Sequence, residues 1–310
     1  MKRTMRGKRV VFFSTPAKGH VNAVYPVLRA LARAGVQVDW YCTEQYRELI
    51  VSCGAVWHSY SIDFSRYRLE ELTADFYRLY RGLLKLNRAC YFDYILEVEA
   101  NPPDVILYDS MCSFAKNIAK KLGIPSVCLC TTLAYNLPTL VFSNLFWPSL
   151  ALSVRHATEL MRLTLKEQCF RRREGLPRFS PLDLFVNRGD RTIVFSPPEF
   201  QPFARSFPPS FVFAGTTVGD RIETGAAVES CDIYLSLGSI FAARAGELET
   251  LLESPLFRGK KVIVSAGAAA EELQKRLGRE RLSFVRHTNQ LALLGKTGLF
   301  VNHGGLNSVY

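Results

Sequence analysis

At 310 residues with 48% hydrophobic content, the chain is long enough for about two globular domains with two buried cores. Its net charge of +11 is uneven: five of the first nine residues are basic, and Arg171, Arg172 and Arg173 form a second knot. No stacking-aromatic pattern or nucleic-acid module accompanies that charge, which argues against a nucleic-acid binder and leaves solvated basic faces, anionic small molecules or a membrane surface.

Strand-like and helix-like patterns alternate from the start, the signature of a parallel sheet covered by helices. Val10 to Ser14 is predicted as a buried strand, followed by the PAKGHVN turn, an amphipathic helix over Val21 to Arg33 closed by Gly35, and a strand over Val36 to Cys42. A helix over Glu44 to Ser52 and a strand from Ala55 to Tyr60 complete the opening unit. Leu69 to Glu99 reads as mostly helical, Pro102 and Pro103 break it, and Val105 to Tyr108 is a strand ending at Asp109. Ser113 to Leu122 is a helix that leads into the strand Ser126 to Cys130.

Leu133 to Val154 carries no charge, but its asparagines, prolines and serines would leave polar groups unsatisfied in lipid, so an apolar wall lining a cleft is expected instead. The proline-rich run Pro197 to Pro209 and the polar stretch 215–230 mark a linker region. Alternation then restarts with strand Ile233 to Leu237, helix Gly246 to Leu252, strand Val262 to Ser265, helix Glu271 to Leu277, and strands Ser283 to Val285 and Leu299 to Asn302. Eight cysteines without a CxxC pair or metal-ligand spacing fit a reducing cytosol, and no signal-peptide core precedes PAKGH.

In open parallel sheets, ligands bind beyond the carboxyl ends of the strands, where helix N-termini supply backbone N–H groups. His20, Asp109, Ser239 and His303 all fall at such ends. His20 is the candidate general base and Asp109 the carboxylate that fixes its tautomer. An acid after a buried strand equally suits the N-cap of the next helix. There is no side-chain nucleophile, so the dyad would activate a hydroxyl of the substrate. SLGS (236–239) and HGGLNS (303–308) look like anion binders, with Gly304 and Gly305 letting backbone N–H groups approach a phosphate; tight helix-strand packing is the alternative use of those glycines.

The ordered set PAKGHVNAVYPVLRALARAGVQVDWYCTEQYRELIVSCGA, PPDVILYD, SLGS and RHTNQLALLGKTGLFVNHGGLNS resembles the UDP-sugar-dependent glycosyltransferases of the GT-B fold, family 1, nearest the bacterial macrolide and flavonoid group. The resemblance spans the whole chain. It implies two Rossmann-like doubly wound α/β domains, with His20 deprotonating the acceptor hydroxyl and Asp109 as its partner. It further implies that Ser239, His303, Gly304, Gly305, Asn307 and Ser308 hold the donor diphosphate and that Gln290 lies in the nucleotide pocket. Where plant relatives stack a tryptophan on uracil this chain has His287, so base stacking would be weaker or fall to His287 or Arg286. No cofactor or metal is implied, only a UDP-sugar co-substrate, with UDP-glucose expected. The family's ribose-binding glutamate, its sugar-binding acid-glutamine pair and its terminal helix would lie beyond Tyr310, so the second domain is expected to be incomplete.

The resulting expectation is an acceptor-binding domain over 1–212, a linker over 213–228 and a donor-binding domain over 229–310. The expected reaction is inverting transfer of a sugar from a UDP-sugar to a hydroxyl of a small apolar acceptor such as a polyketide, macrolide or flavonoid, in a cytoplasmic enzyme. Phe76, Tyr80, Phe142, Phe146 and Trp147 are candidates for the acceptor pocket, with ordinary core packing as the alternative for the helix aromatics. Two rival readings stand beside it: a UDP-sugar 2-epimerase, and a fragment that binds ligand or partner without sugar transfer.

Overall fold

A computed structural model describes residues 5–64, 76–142, 156–180, 188–217, 229–236, 245–286 and 288–309. The chain divides into two units, Met1–Asp220 and Arg221–Tyr310. The first holds strands β1 (Arg9–Phe13), β2 (Gln37–Cys42), β3 (Val56–Ser59), β4 (Val105–Asp109), β5 (Ser126–Cys130), β6 (Arg191–Val194) and β7 (Phe211–Phe213). Its helices are α1 (Lys18–Arg33), α2 (Arg47–Ser52), α3 (Phe76–Ala100), α4 (Ser113–Leu122), α5 (Leu137–Val141) and α6 (Ala157–Glu174). The second unit holds β8 (Cys231–Ser236), β9 (Val262–Ser265), β10 (Leu282–Val285) and β11 (Thr297–Asn302), with α7 (Ala245–Leu252), α8 (Ala270–Leu277), α9 (Gln290–Leu294) and α10 (Leu306–Val309).

The first sheet runs β3-β2-β1-β4-β5-β6-β7, and all of its pairings are parallel. Strand β1 shows why it must be central. In RVVFF the alternate residues Val11 and Phe13 join one apolar cluster, with Tyr91 and Tyr94 of α3 and Phe114 and Ile118 of α4. Val10 and Phe12 join another, with Val24 and Leu28 of α1 and Trp40 of β2. A strand that is apolar on both sides needs helices on both faces, which is the doubly wound arrangement. The single charge in the middle of β2, Asp39, is buried but is bonded to Arg9 Nε at 2.7 Å and His58 Nε2 at 3.1 Å.

The second sheet runs β10-β9-β8-β11, again all parallel. Both sheets reverse their strand order once, at β1/β4 and at β8/β11, and those switch points are where such folds bind ligands.

Several elements differ from the sequence expectation. Helix α1 starts at Lys18 rather than Val21, because the N–H groups of both His20 and Val21 already bond the Ala17 carbonyl. His20 is therefore in the first helical turn. Helix α6 and strands β6 and β7 have no counterpart in the sequence reading, although α6 carries a stop signal in Gly175, left-handed at φ 68, after three arginines. Those arginines are not one solvated face: Arg172 and Arg173 are exposed, but Arg171 is buried against Glu167. Of the uncharged run 133–154, residues 143–154 lie outside the described residues. Among the described residues, no helix is long and apolar enough to cross a membrane.

Candidate active site

Three neighbouring strands, β1, β4 and β5, bring their carboxyl ends together. Asp109 is the last residue of β4, Thr15 follows β1, and Thr131 follows β5 directly. His20 reaches the same place from the first turn of α1. The switch point between β1 and β4 is thus lined by side chains that are 94 positions apart in the chain for the Thr15–Asp109 pair and 111 for His20–Thr131.

Asp109 is fully buried, and its carboxylate oxygens are met by hydrogen-bond donors. Its Oδ1 accepts from the Thr15 hydroxyl at 2.7 Å and from the Met111 N–H at 3.0 Å. Its Oδ2 lies 2.7 Å from His20 Nδ1 and accepts from the Thr131 hydroxyl at 3.3 Å. Helix α4 begins later, with Cys112 at its N-cap position, so the carboxylate turns its own loop and faces His20 instead of capping that helix.

Burial alone would raise the Asp109 pKa, but the His20 charge and hydrogen bond, with the Met111 and Thr15 donors, hold it below its ordinary value of 3.8. Burial alone would lower that of His20. The Asp109 carboxylate outweighs this and raises it above 6.5. An ionised carboxylate cannot donate, so the proton in the 2.7 Å contact sits on Nδ1 and the neutral ring carries its lone pair on Nε2. The His20 side chain is 17% exposed while that of Asp109 is 1% exposed. Buried carboxylate, oriented ring and open second nitrogen are what a general base requires.

In the second unit, His303 follows β11 and is exposed, while Gln290 opens α9 behind Asn289, whose side chain caps that helix by accepting from the Ala292 N–H at 2.9 Å. Gly304 is left-handed at φ 75 and donates its N–H to Asn302 Oδ1 at 2.8 Å. The Gly305 carbonyl accepts from Ser308 and Val309 N–H groups and so starts α10. A Cβ at Gly304 would meet nothing within 4 Å, and one at Gly305 would lie 2.5 Å from His303 Nε2. Among the described residues, Gly304 is thus needed for the turn and Gly305 for the space taken by the His303 ring. Asn307 lies in α10 with its side chain outside the described residues, as are Ser239 and His287 entirely.

Among the acceptor candidates, Tyr80 takes the core alternative: it is buried with Leu83, Leu84 and Phe179, because its face of α3 turns inward. Phe142 is instead 73% exposed, with its ring centroid 5.4 Å from that of Phe203. Leu137 beside it is also exposed. The Phe76 side chain, Phe146 and Trp147 lie outside the described residues. A residue with no sequence signal organises this segment: buried Gln201 grips both the N–H and the carbonyl of Ala134 at 2.9 Å. Thr15 and Thr131 lie beyond strand ends as well, so the strand-end rule that points to Asp109 applies equally to them. All eight cysteines are free, seven of them buried.

The chain is 27% identical to the NDP-glycosyltransferase YjiC of Bacillus licheniformis, over 98% of this chain and 76% of that protein. It is 24% identical to the oleandomycin glycosyltransferase of Streptomyces antibioticus, over 96% of this chain and 70% of that one. Among solved structures it is similar to the glycotransferase of kitacinnamycin (TM-score 0.77, 20% identity, 98% of this chain and 77% of that one). It is also similar to the calicheamicin glycosyltransferase CalG4 (TM-score 0.75, 20% identity, 100% and 77%). No protein-family profile matches the chain.

Proposed function

We propose that the chain, which shares the GT-B fold of the glycosyltransferases it resembles, transfers a sugar from a nucleoside-diphosphate sugar to a hydroxyl of a small apolar acceptor, with His20 as the base. The relatives named above are glycosyltransferases, which leaves the epimerase alternative without support. The observation that carries the reading is the His20–Asp109 contact at the switch point of the first sheet.

The steps follow from that geometry. Nε2 of His20 takes the acceptor hydroxyl proton as the oxygen attacks the anomeric carbon from the face opposite the nucleotide. The bond to the diphosphate breaks with inversion, and the imidazolium is stabilised by Asp109. His303 and the Gly304–Gly305 turn are the groups we assign to the diphosphate, with Ser239, Ser308, Asn307 and Gln290 around it.

The exposed rings of Phe142 and Phe203 and the side chain of Leu137 suit a flat, apolar, hydroxyl-bearing acceptor. We assign uracil or thymine as the donor base. Two similar structures, VinC and the spinosyn rhamnosyltransferase SpnG, are described as complexes with thymidine diphosphate. The test is to incubate the protein with UDP-glucose or dTDP-glucose and a panel of macrolide and flavonoid acceptors, and to follow products by mass spectrometry. A glycoside that forms with the native protein and not with His20→Ala is expected. Product formation unaffected by His20→Ala would overturn the assignment of the base.

A further inference from the structure

The His20–Asp109 pair has a third member. Thr131 Oγ1 lies 2.7 Å from His20 Nδ1, as close as the carboxylate oxygen, and 3.3 Å from Asp109 Oδ2. Only one assignment of protons satisfies all three contacts. Nδ1 carries a proton because ionised Asp109 faces it. That proton is shared between Oδ2 and Oγ1, so Oγ1 accepts at this contact and its own hydrogen is directed to Oδ2. Meanwhile Thr15 and the Met111 N–H occupy Oδ1, which keeps the carboxylate from rotating away.

From this closed set of hydrogen bonds we propose that Thr131 is a positioning residue for sugar transfer: a second acceptor for the Nδ1 proton that holds the His20 ring in the tautomer with Nε2 unprotonated. The residue is buried, and as the first residue beyond β5 its backbone is set by the β4–β5 pairing. Its hydroxyl is therefore delivered by the sheet rather than by a mobile loop. A neutral histidine left to itself can protonate either nitrogen, and the wrong choice removes the base; a second, uncharged acceptor guards against that independently of the Asp109 charge.

The proposal rests on the glycosyltransferase reading for its kinetic consequence but not for its structural one, and the experiment separates the two. Native protein, Thr131→Val and Thr131→Ser are compared, with the His20 ring nitrogens and the Nδ1 proton followed by nitrogen-15 NMR. Valine keeps the shape and removes the acceptor. The Nδ1 proton resonance is expected to move in Thr131→Val and return in Thr131→Ser, with kcat falling about fivefold to tenfold in the valine variant, donor KM unchanged, and serine restoring the rate. In the Asp109→Ala background, Thr131 alone is expected to keep the proton on Nδ1, and adding Thr131→Val to move it to Nε2. If Asp109→Ala does not fold, the Nδ1 resonance of the single variants decides. An unmoved resonance in Thr131→Val, or the Nε2-protonated ring already in folded Asp109→Ala, overturns the proposal. A moved resonance in a protein that transfers no sugar would leave Thr131 in place and remove the glycosyltransferase reading instead.

Discussion

His20 Nδ1 and Asp109 Oδ2 sit 2.7 Å apart, and each favours the charged form of the other: the histidine pKa is raised from 6.5 and that of the aspartate lowered from 3.8. The two shifts act on stability at opposite ends of the pH scale. The raised His20 pKa contributes stability that is complete below about 6.5 and is lost as pH rises through the folded value. The lowered Asp109 pKa contributes stability that is present above about 3.9 and is lost as pH falls through its folded value.

Activity runs the other way on the alkaline side, since only neutral His20 can accept a proton. The rising limb of kcat/KM against pH is expected to have its midpoint above 6.5, where the stabilising contribution of the pair is being lost. A pH-rate profile measured beside thermal melts at the same pH values checks this; a midpoint at or below 6.5 contradicts it. His20→Ala should lower turnover by ~100-fold or more while nucleotide affinity changes little.

Glu167 is a buried carboxylate outside the active site whose loss should be costly. It bridges Arg88 at 2.8 Å and Arg171 at 3.3 Å, and the side chains of Glu167 and Arg171 are each only 6% exposed. Glu167→Gln removes the buried negative charge that both arginines face, an expected loss of about 3 kcal/mol. Arg172→Gln on the exposed side should stay within about 0.5 kcal/mol. Denaturant unfolding of the two variants makes the comparison.

At the turn after β11, the two glycines should separate stability from binding. Gly305→Ala drives a Cβ into the exposed His303 ring, which can swing aside, so the second unit stays folded while nucleotide affinity falls by roughly tenfold. Gly304→Ala has open space but must adopt φ 75, a strain of about 1 kcal/mol that appears in unfolding. Calorimetric titration of UDP and of dTDP, together with melts, reads both. A Gly305→Ala variant that binds nucleotide as well as the native protein would remove this turn from the donor site.

For the acceptor, Gln201→Ala should free the segment after β5 by removing both bonds to Ala134, and Phe142→Asp should place a charge on its exposed apolar surface. Both are expected to raise acceptor KM with donor KM unchanged. Unchanged acceptor KM in Phe142→Asp would exclude that surface from acceptor binding.

Much of the architecture was legible because it is written locally. An apolar run such as RVVFF has to be buried on both faces, and its length and flanking turns mark it as a strand whatever it pairs with. The position of His20 after one such run and Asp109 at the end of another already pointed to a ligand site at strand ends. Pairing was another matter. Thr131 reaches His20 only because β5 lies next to β4 and β4 next to β1, an order set by crossover connections and not by any short stretch of chain. The same holds for Gln201, which grips a segment 67 residues earlier. Arg171 looked like its exposed neighbours Arg172 and Arg173, and Tyr80 like a pocket aromatic, until packing assigned one to Glu167 and the other to an apolar cluster. Local pattern sets which residues form an element and roughly where it ends; which face is covered, and which distant polar group completes a hydrogen bond, depends on free-energy terms that exist only once the elements have packed together.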